Sequence, residues 1–310
     1  MKEYWKNGIM GVVTGDALGC PVQFRSREEI AKNPVRGMRG FGTFNLPAGS
    51  WTDDSSLTLA LLDSLRQLES VSCRDIMDNF VMWLDKGAFT PYGYSYDIGR
   101  GTMQAIQRYK KDRRPHRCGS DAERNNGNGS LMRILPACLY CIDQDLADRE
   151  AVDVIHKVGS LTHAHIRANI ACGLYYFMAK EILSSTGPLN ISLQRGLSHG
   201  FSFYEDCLAD RDNLGCYARL RDLKEFAAAT ADKIKSSGYV VDTLEAAVWC
   251  LANTDSFETA LLKAVNLGDD TDTVGAVTGG LAGLYYGYTS IPEAWLAEIK
   301  KRDWIEEMCS

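Results

Sequence analysis

Apolar residues along most of the chain recur with the period of a helix rather than the alternation of a strand. Between Leu57 and Leu68, positions 57, 61, 62, 65 and 68 fall on one face, and Thr52, Asp53, Asp54 and Ser55 stand in front as N-cap candidates. The same periodicity predicts helices over Ala151–Val158, Ile166–Leu183, Tyr217–Ile234, Thr243–Ala252 and Phe257–Val265, and a last one from near Thr273 to Tyr286. No series of short Val/Ile/Thr strands separated by turn dipeptides interrupts them, so the expected fold class is all-α. Gly and Pro gather in two stretches, Asn33–Gly49 and Cys118–Gly129, which read as long loops of the kind that carry function. No Ser/Gly or Pro-rich linker divides the chain and no 20–50-residue repeat runs through it, so a single domain over residues 1–310 is expected.

Charge and composition narrow the function. With 34 Lys and Arg against 40 Asp and Glu the net charge is −6, which disfavours nucleic acid as a partner. The least polar stretch, Val274 to Tyr288, is rich in Gly and shorter than the ~20 apolar residues of a bilayer span, so no membrane segment is expected. The apolar run Ile9–Val13 is too short for a secretory core and Asp16 follows it. Ten scattered cysteines, with only Cys138 and Cys141 closely spaced and no paired His nearby, argue against a zinc site. The expectation is a cytoplasmic protein with reduced thiols.

Two acidic helix entrances carry the sharpest chemical signal. Gly49-Ser50-Trp51-Thr52-Asp53-Asp54-Ser55 and Gly268-Asp269-Asp270-Thr271-Asp272-Thr273 each set carboxylates and hydroxyls where a helix starts. Each alone reads as a cap, its oxygens accepting free backbone N–H groups. Clustered acids are poor choices for capping, however, because like charges within one turn repel and one acceptor suffices. If the two entrances face each other, Asp53, Asp54, Asp270 and Asp272 form a cluster that two divalent cations would neutralise. The all-oxygen donor set favours Mg²⁺, Mn²⁺ or Ca²⁺ over zinc. Two unrelated capped helices remain the alternative. Asn125-Asn126-Gly127-Asn128-Gly129-Ser130-Leu131-Met132-Arg133 reads as a glycine-rich turn running into a helix ended or redirected by Pro136, where free N–H groups would suit a phosphate. It matches neither the Walker pattern nor GxGxxG. Gly11 to Gly19 reads as a packed helix with one buried acid.

Taken together, Gly15-Asp16-Ala17-Leu18-Gly19-Cys20-Pro21, Trp51-Thr52-Asp53-Asp54-Ser55, Asp97-Ile98-Gly99, Gly127-Asn128-Gly129-Ser130-Leu131-Met132-Arg133, Thr162-His163 and Gly268-Asp269-Asp270-Thr271-Asp272-Thr273 resemble the ordered motifs of the ADP-ribosylglycohydrolase family. The resemblance covers about residues 8–288. It implies a compact, single-domain orthogonal helical bundle with a site for two Mg²⁺ or Mn²⁺, and hydrolysis of the bond between ADP-ribose and a modified protein side chain. ADP-ribosylated protein and ADP-ribose are then the implied partners.

Carried over by motif, the resemblance makes Thr52, Asp53, Asp54, Asp270, Asp272 and Thr273 the metal ligands, with Asp53, Asp54 and Asp97 the catalytic candidates. Gly127, Asn128, Gly129, Ser130 and Met132 would border ADP-ribose, with backbone N–H groups toward its diphosphate, and His163 would lie near it. Asp97 would sit at the mouth, where a carboxylate can pair with a guanidinium. Three positions depart from the family pattern: Gln23 where Glu is common, Ser55 where Thr is common, and Arg100-Gly101-Thr102 where Asn-Thr-Thr often stands. Gln23 and Asp97 favour N-linked ADP-ribosyl-arginine as substrate. O-linked ADP-ribosyl-serine, a two-metal nucleotide phosphohydrolase and a catalytically silent structural or binding protein are the alternatives.

Overall fold

In the computed structural model, which describes residues 2–207 and 211–310, the helices of nine residues or more follow one another along the chain. They are α1 (Glu3–Gly19), α2 (Asp53–Leu68), α3 (Cys73–Lys86), α4 (Arg100–Asp112), α5 (Leu135–Asp143), α6 (Asp148–Gly159), α7 (Ile166–Ser184), α8 (Leu189–Cys207), α9 (Val240–Ala252), α10 (Phe257–Val265) and α11 (Thr271–Tyr286). Among the described residues there is no β-strand, only the isolated bridges Ser120–His163 and Gly127–Tyr239. The all-α expectation holds, and each long predicted helix is present within a few residues of its predicted ends except one. Among the described residues, no helix is long and apolar enough to cross a membrane. All ten cysteines are unpaired.

The pairing of α1 with α11 organises the core. A Cβ on Gly11 would lie 2.1 Å from Gly279 O, one on Gly15 2.0 Å from Gly275 O, one on Gly19 2.3 Å from Thr271 O, and one on Gly283 2.2 Å from Asn7 O. As the position on α1 rises by four, its partner on α11 falls by four. The helices are therefore antiparallel, with backbones touching along a stripe that only glycine permits. The sequence shows both halves of that stripe, Gly11, Gly15 and Gly19 against Gly275, Gly279 and Gly283. The register brings the C-terminal end of α1 to the N-terminal end of α11. α9 and α10 flank α11, α7 packs on α8, and α2 lies against α1 and α5 over one continuous apolar core.

Two local expectations are corrected. Tyr217–Ile234 is not one helix but three short turns, Ala218–Arg221, Leu223–Ala227 and Ala231–Lys233. Asp222 breaks it: its backbone is extended (φ −116°, ψ 95°) and its side chain accepts the Glu225 N–H as a new cap, while Leu223 N–H goes to Gln194 Oε1. Leu220, Leu223, Phe226 and Ile234 are still buried, so the apolar period reported burial correctly and continuity wrongly. Pro136 ends nothing; it stands in the first turn of α5, where its missing N–H would have had no helical partner. The Gly127–Arg133 segment before it closes in a 3₁₀ turn, Leu131–Arg133, rather than an α-helix.

Candidate active site

The site forms where α1 ends and α2 and α11 begin. No side chain at the N-cap of α2 (Thr52) or of α11 (Asp270) makes a capping hydrogen bond, although in α11 Asp272 Oδ1 accepts the Thr273 N–H at 2.9 Å. The cap of α2 comes instead from Asp16, fully buried on α1. Its carboxylate accepts Thr52 N–H at 3.0 and 2.9 Å, Thr52 Oγ1–H at 3.0 Å, Ser55 N–H at 3.0 Å and Ser55 Oγ–H at 2.5 Å. With the amides met from outside, the acids of α2 turn away from their own backbone. By its surroundings Asp16 reads as one acid on an apolar helix, and the resemblance quotes it only within a motif, without a role; packing gives it its place in the site.

Beyond Asp16, the two entrances interleave. Thr52 Oγ1 lies 3.3 Å from Asp54 Oδ2 and 3.4 Å from Asp272 Oδ2, and Thr273 Oγ1 lies 3.4 Å from Asp54 Oδ2. The expected cluster of Asp53, Asp54, Asp270 and Asp272 is therefore assembled from stretches more than 200 residues apart. Asp97 joins it. Its carboxyl stands beside Asp272 and Gln23, and it lines the cleft, half-buried. Gln23, buried, also hydrogen-bonds Asp270. Gln23 is held there by a turn at Gly268-Asp269, both residues at positive φ (84° and 59°), through Phe24 N–H to Asp269 O (2.7 Å) and Asp269 N–H to Arg25 O (2.8 Å).

Burial and crowding set the electrostatics. Loss of water, with repulsion from neighbouring carboxylates, raises Asp53, Asp54 and Asp272 well above the ordinary carboxylate range. Burial raises Asp16 to about 6 against four hydrogen bonds that hold it down. Burial also raises Asp97 and Asp270, opposed by hydrogen bonds from Gln23 and others. The helix N-termini of α2 and α11 offset some of this charge, but a group of acids this dense titrates as a unit and calls for protons or cations.

The donor set fits hard divalent cations. Asp54 Oδ1 and Asp97 Oδ2 are buried without a hydrogen-bond partner, and unpartnered carboxylate oxygens beside threonine hydroxyls are the ligands that Mg²⁺ and Mn²⁺ take. Among the described residues, no three acidic, histidine or cysteine side chains alone gather tightly enough to enclose an ion, so a cation here would need the threonine hydroxyls between the acids as well. Sulfur and imidazole are absent from it, which disfavours zinc.

Beside these acids opens a cleft of about 450 Å³ whose lining includes Asp53, Asp97, Asp270 and Thr273 together with Gly127, Asn128, Gly129, Met132 and His163. Two expected ligand neighbours stand differently from the sequence picture. Ser130 is fully buried with its hydroxyl 3.7 Å from Cys172 Sγ, and it does not line the cleft. Asn128 lines it, but its N–H already donates to Gly238 O (3.1 Å) and its side-chain amide to Asp270 Oδ2 (2.6 Å) and Thr243 Oγ1 (2.9 Å), so its own amide is not free for a phosphate. The 3₁₀ turn at Leu131 likewise offers no α-helical N-terminus there. The glycines make room for a ring: a Cβ on Gly129 would meet His163 Cε1 at 2.6 Å, and one on Gly101 would meet His163 Nε2 at 2.8 Å. Phe24, Arg100, Gly101, Thr102, Arg124 and Gly238 also line the cleft. Apart from Arg100-Gly101-Thr102, which the motif comparison touched, no sequence signal marked them, since most sit in loops whose path depends on the helices beneath.

Comparison with known proteins agrees with this architecture. The family model for ADP-ribosylglycohydrolase matches residues 4–310. The chain is 30% identical over 306 residues to ADP-ribosylarginine hydrolase Tri1 of Serratia proteamaculans, covering 98% of this chain and 77% of that one. It is 30% identical over 293 residues to the ADP-ribosyl-[dinitrogen reductase] glycohydrolase of Rhodospirillum rubrum, covering 94% and 88%. A solved structure of an ADP-ribosylglycohydrolase-related protein complex superposes with a TM-score of 0.79 at 30% identity, over 100% of this chain and 97% of that one. The buried carboxylates beside a glycine-lined cleft thus sit in a chain that belongs to the ADP-ribosylglycohydrolase family.

Proposed function

We propose that the protein is a metal-dependent hydrolase that releases ADP-ribose from an ADP-ribosylated protein, with N-linked ADP-ribosyl-arginine as its substrate. One observation carries this reading: carboxylates from separate stretches of chain cluster at one cleft, Asp53, Asp97 and Asp270 lining it together with Gly127, Gly129 and His163, and Asp16, Asp54 and Asp272 buried beside them. Thr52, Asp53, Asp54, Asp270, Asp272 and Thr273 would hold two Mg²⁺ or Mn²⁺, which when bound orient a sugar's hydroxyls and activate water. Asp53 faces the cleft whereas Asp54 lies behind it, so Asp53 is the one of the pair in position to take a proton from an attacking water. Carboxylate charge that the cations leave uncompensated would favour the oxocarbenium character that builds at the anomeric carbon as the acceptor departs. Gly127, Gly129, Met132 and His163 form the wall against which ADP-ribose would lie.

Arginine is preferred over serine as acceptor on two grounds. Relatives at 30% identity include one named for ADP-ribosylarginine and one for ADP-ribosyl-dinitrogen reductase. Gln23, which stands beside Asp97 and Asp270 and favours their charged forms, also leaves the site without a further acid. The test incubates the protein and Mg²⁺ with arginine- and serine-linked ADP-ribosyl peptides, with and without a chelator. Intact ADP-ribose from the arginine peptide, lost on chelation, is expected. Release from the serine peptide alone overturns the linkage, free phosphate instead of ADP-ribose points to a phosphohydrolase, and no release with either peptide points to a silent binding protein.

A further inference from the structure

Arg133 is a buried cation that the reading above does not use. It is fully buried, and among the described residues no carboxylate pairs with it. Its guanidinium lies 4.9 Å from the Phe80 ring centroid and donates to Val158 O (3.4 and 3.3 Å), Gly159 O (3.5 Å) and Thr162 Oγ1 (2.7 Å). Val158 and Gly159 close the last turn of α6, so the negative end of that helix serves as its counter-charge. Burial without an acid pulls Arg133 down to about 10, still charged at neutral pH.

The chain of contacts continues to the cleft. Thr162 Oγ1 lies 2.8 Å from His163 Nδ1. A threonine hydroxyl has one proton and two lone pairs, while arginine can only donate. With Arg133 occupying one lone pair, and no other acceptor for the hydroxyl proton among the described residues, the arrangement is complete only if Thr162 donates to Nδ1. Nδ1 is then bare and the ring proton sits on Nε2, the atom facing Gly101 and Gly127 at the wall of the cleft.

We propose that Arg133 is a positioning residue which, through Thr162, fixes His163 as the neutral Nε2–H tautomer and so presents a single hydrogen-bond donor to an oxygen of the bound ligand. Resting on the cleft as the ADP-ribose site, this makes His163 a donor to a phosphate or ribose oxygen and removes it as a general base. Burial and the neighbouring Arg133 charge both press His163 toward the neutral form, down to about 3.

The experiment reads the ring nitrogens of His163 by long-range ¹H–¹⁵N correlation NMR on labelled full-length protein without ligand. The wild type is expected to show only the Nε2–H pattern, and Thr162→Ser, which keeps the hydroxyl, to match it. Arg133→Met, which frees Thr162 to accept from the ring, is expected to show Nδ1–H and to bind ADP-ribose about tenfold more weakly. Thr162→Val is expected to show both tautomers, and it decides the question alone if Arg133→Met does not fold. An Nδ1–H signal in the wild type, or the wild-type pattern in every folded variant, overturns the proposal. The tautomer reading needs no ligand, so a wild type with the expected pattern that fails to bind ADP-ribose would sink the functional reading instead.

Discussion

The carboxylate of Asp16 receives the backbone N–H of Thr52 at 2.9 Å, so a residue of α1 caps a helix whose N-cap lies 36 positions later in the chain. That contact locks the acidic start of α2 onto α1 and, through α1, onto α11. Asp16→Ala leaves the buried amides of Thr52 and Ser55 without an acceptor. A loss of about 2–4 kcal/mol in urea unfolding is expected, together with loss of hydrolysis. Wild-type stability in this variant would show that the cap is dispensable.

The glycine stripe should be as sensitive as the acids. Gly15→Ala would put a methyl 2.0 Å from Gly275 O, a backbone atom that cannot swing aside. It is expected to lower stability by about 3 kcal/mol. Gly215→Ala, with nothing within 4 Å of the new methyl, should change the unfolding midpoint little.

Cation binding and acid repulsion are opposite faces of one cluster. Mg²⁺ or Mn²⁺ is expected to raise the thermal midpoint of the wild type by mass action, because the unfolded chain has no such site. Asp54→Asn removes one buried charge whose Oδ1 has no partner. Without divalent cation this variant should melt above the wild type, and with cation it should gain far less. Equal gains in both proteins, read by calorimetry with and without EDTA, would argue against the cluster as the cation site.

Far from the cleft, Glu306 should govern part of the acid stability. Burial opposes its ionisation, but Lys6 Nζ (2.8 Å), the Tyr288 hydroxyl and Arg302 Nε (2.8 Å) outweigh it and lower its pKa from 4.5 to about 2. An acid depressed on folding contributes its stability fully above the unfolded value, near 4.5, and loses it as the pH falls toward about 2. Glu306→Gln is therefore expected to cost roughly 1–2 kcal/mol at pH 6, allowing for solvent at this partly exposed group, and little near pH 2. Urea unfolding at the two pH values measures the difference.

Some of this molecule is readable from local pattern. The apolar periods gave the helices, the paired acids at Thr52–Asp54 and Asp270–Thr273 announced a cluster, and the glycine spacings on α1 and α11 were visible as spacings. These signals are short-ranged: period, cap chemistry and turn residues act within a few positions of one another. What the letters could not carry was register between distant segments. Asp222 ended a helix whose apolar period ran on, because an aspartate can serve as cap or as solvated face and its neighbours decide which.

Sequence alone determined that the protein is helical and that its acids sit at helix entrances, since both follow from residue order within a turn or two. Only the tertiary structure decided that Asp16 belongs with them, that Asp97 and Gln23 stand beside them, that Ser130 turns away from the cleft and that a buried arginine stands behind His163. The reason is packing. The close approach of α1 to α11 fixes which ends coincide, and that approach joins residues some 250 positions apart whose mutual register neither local sequence specifies, although each shows its glycines.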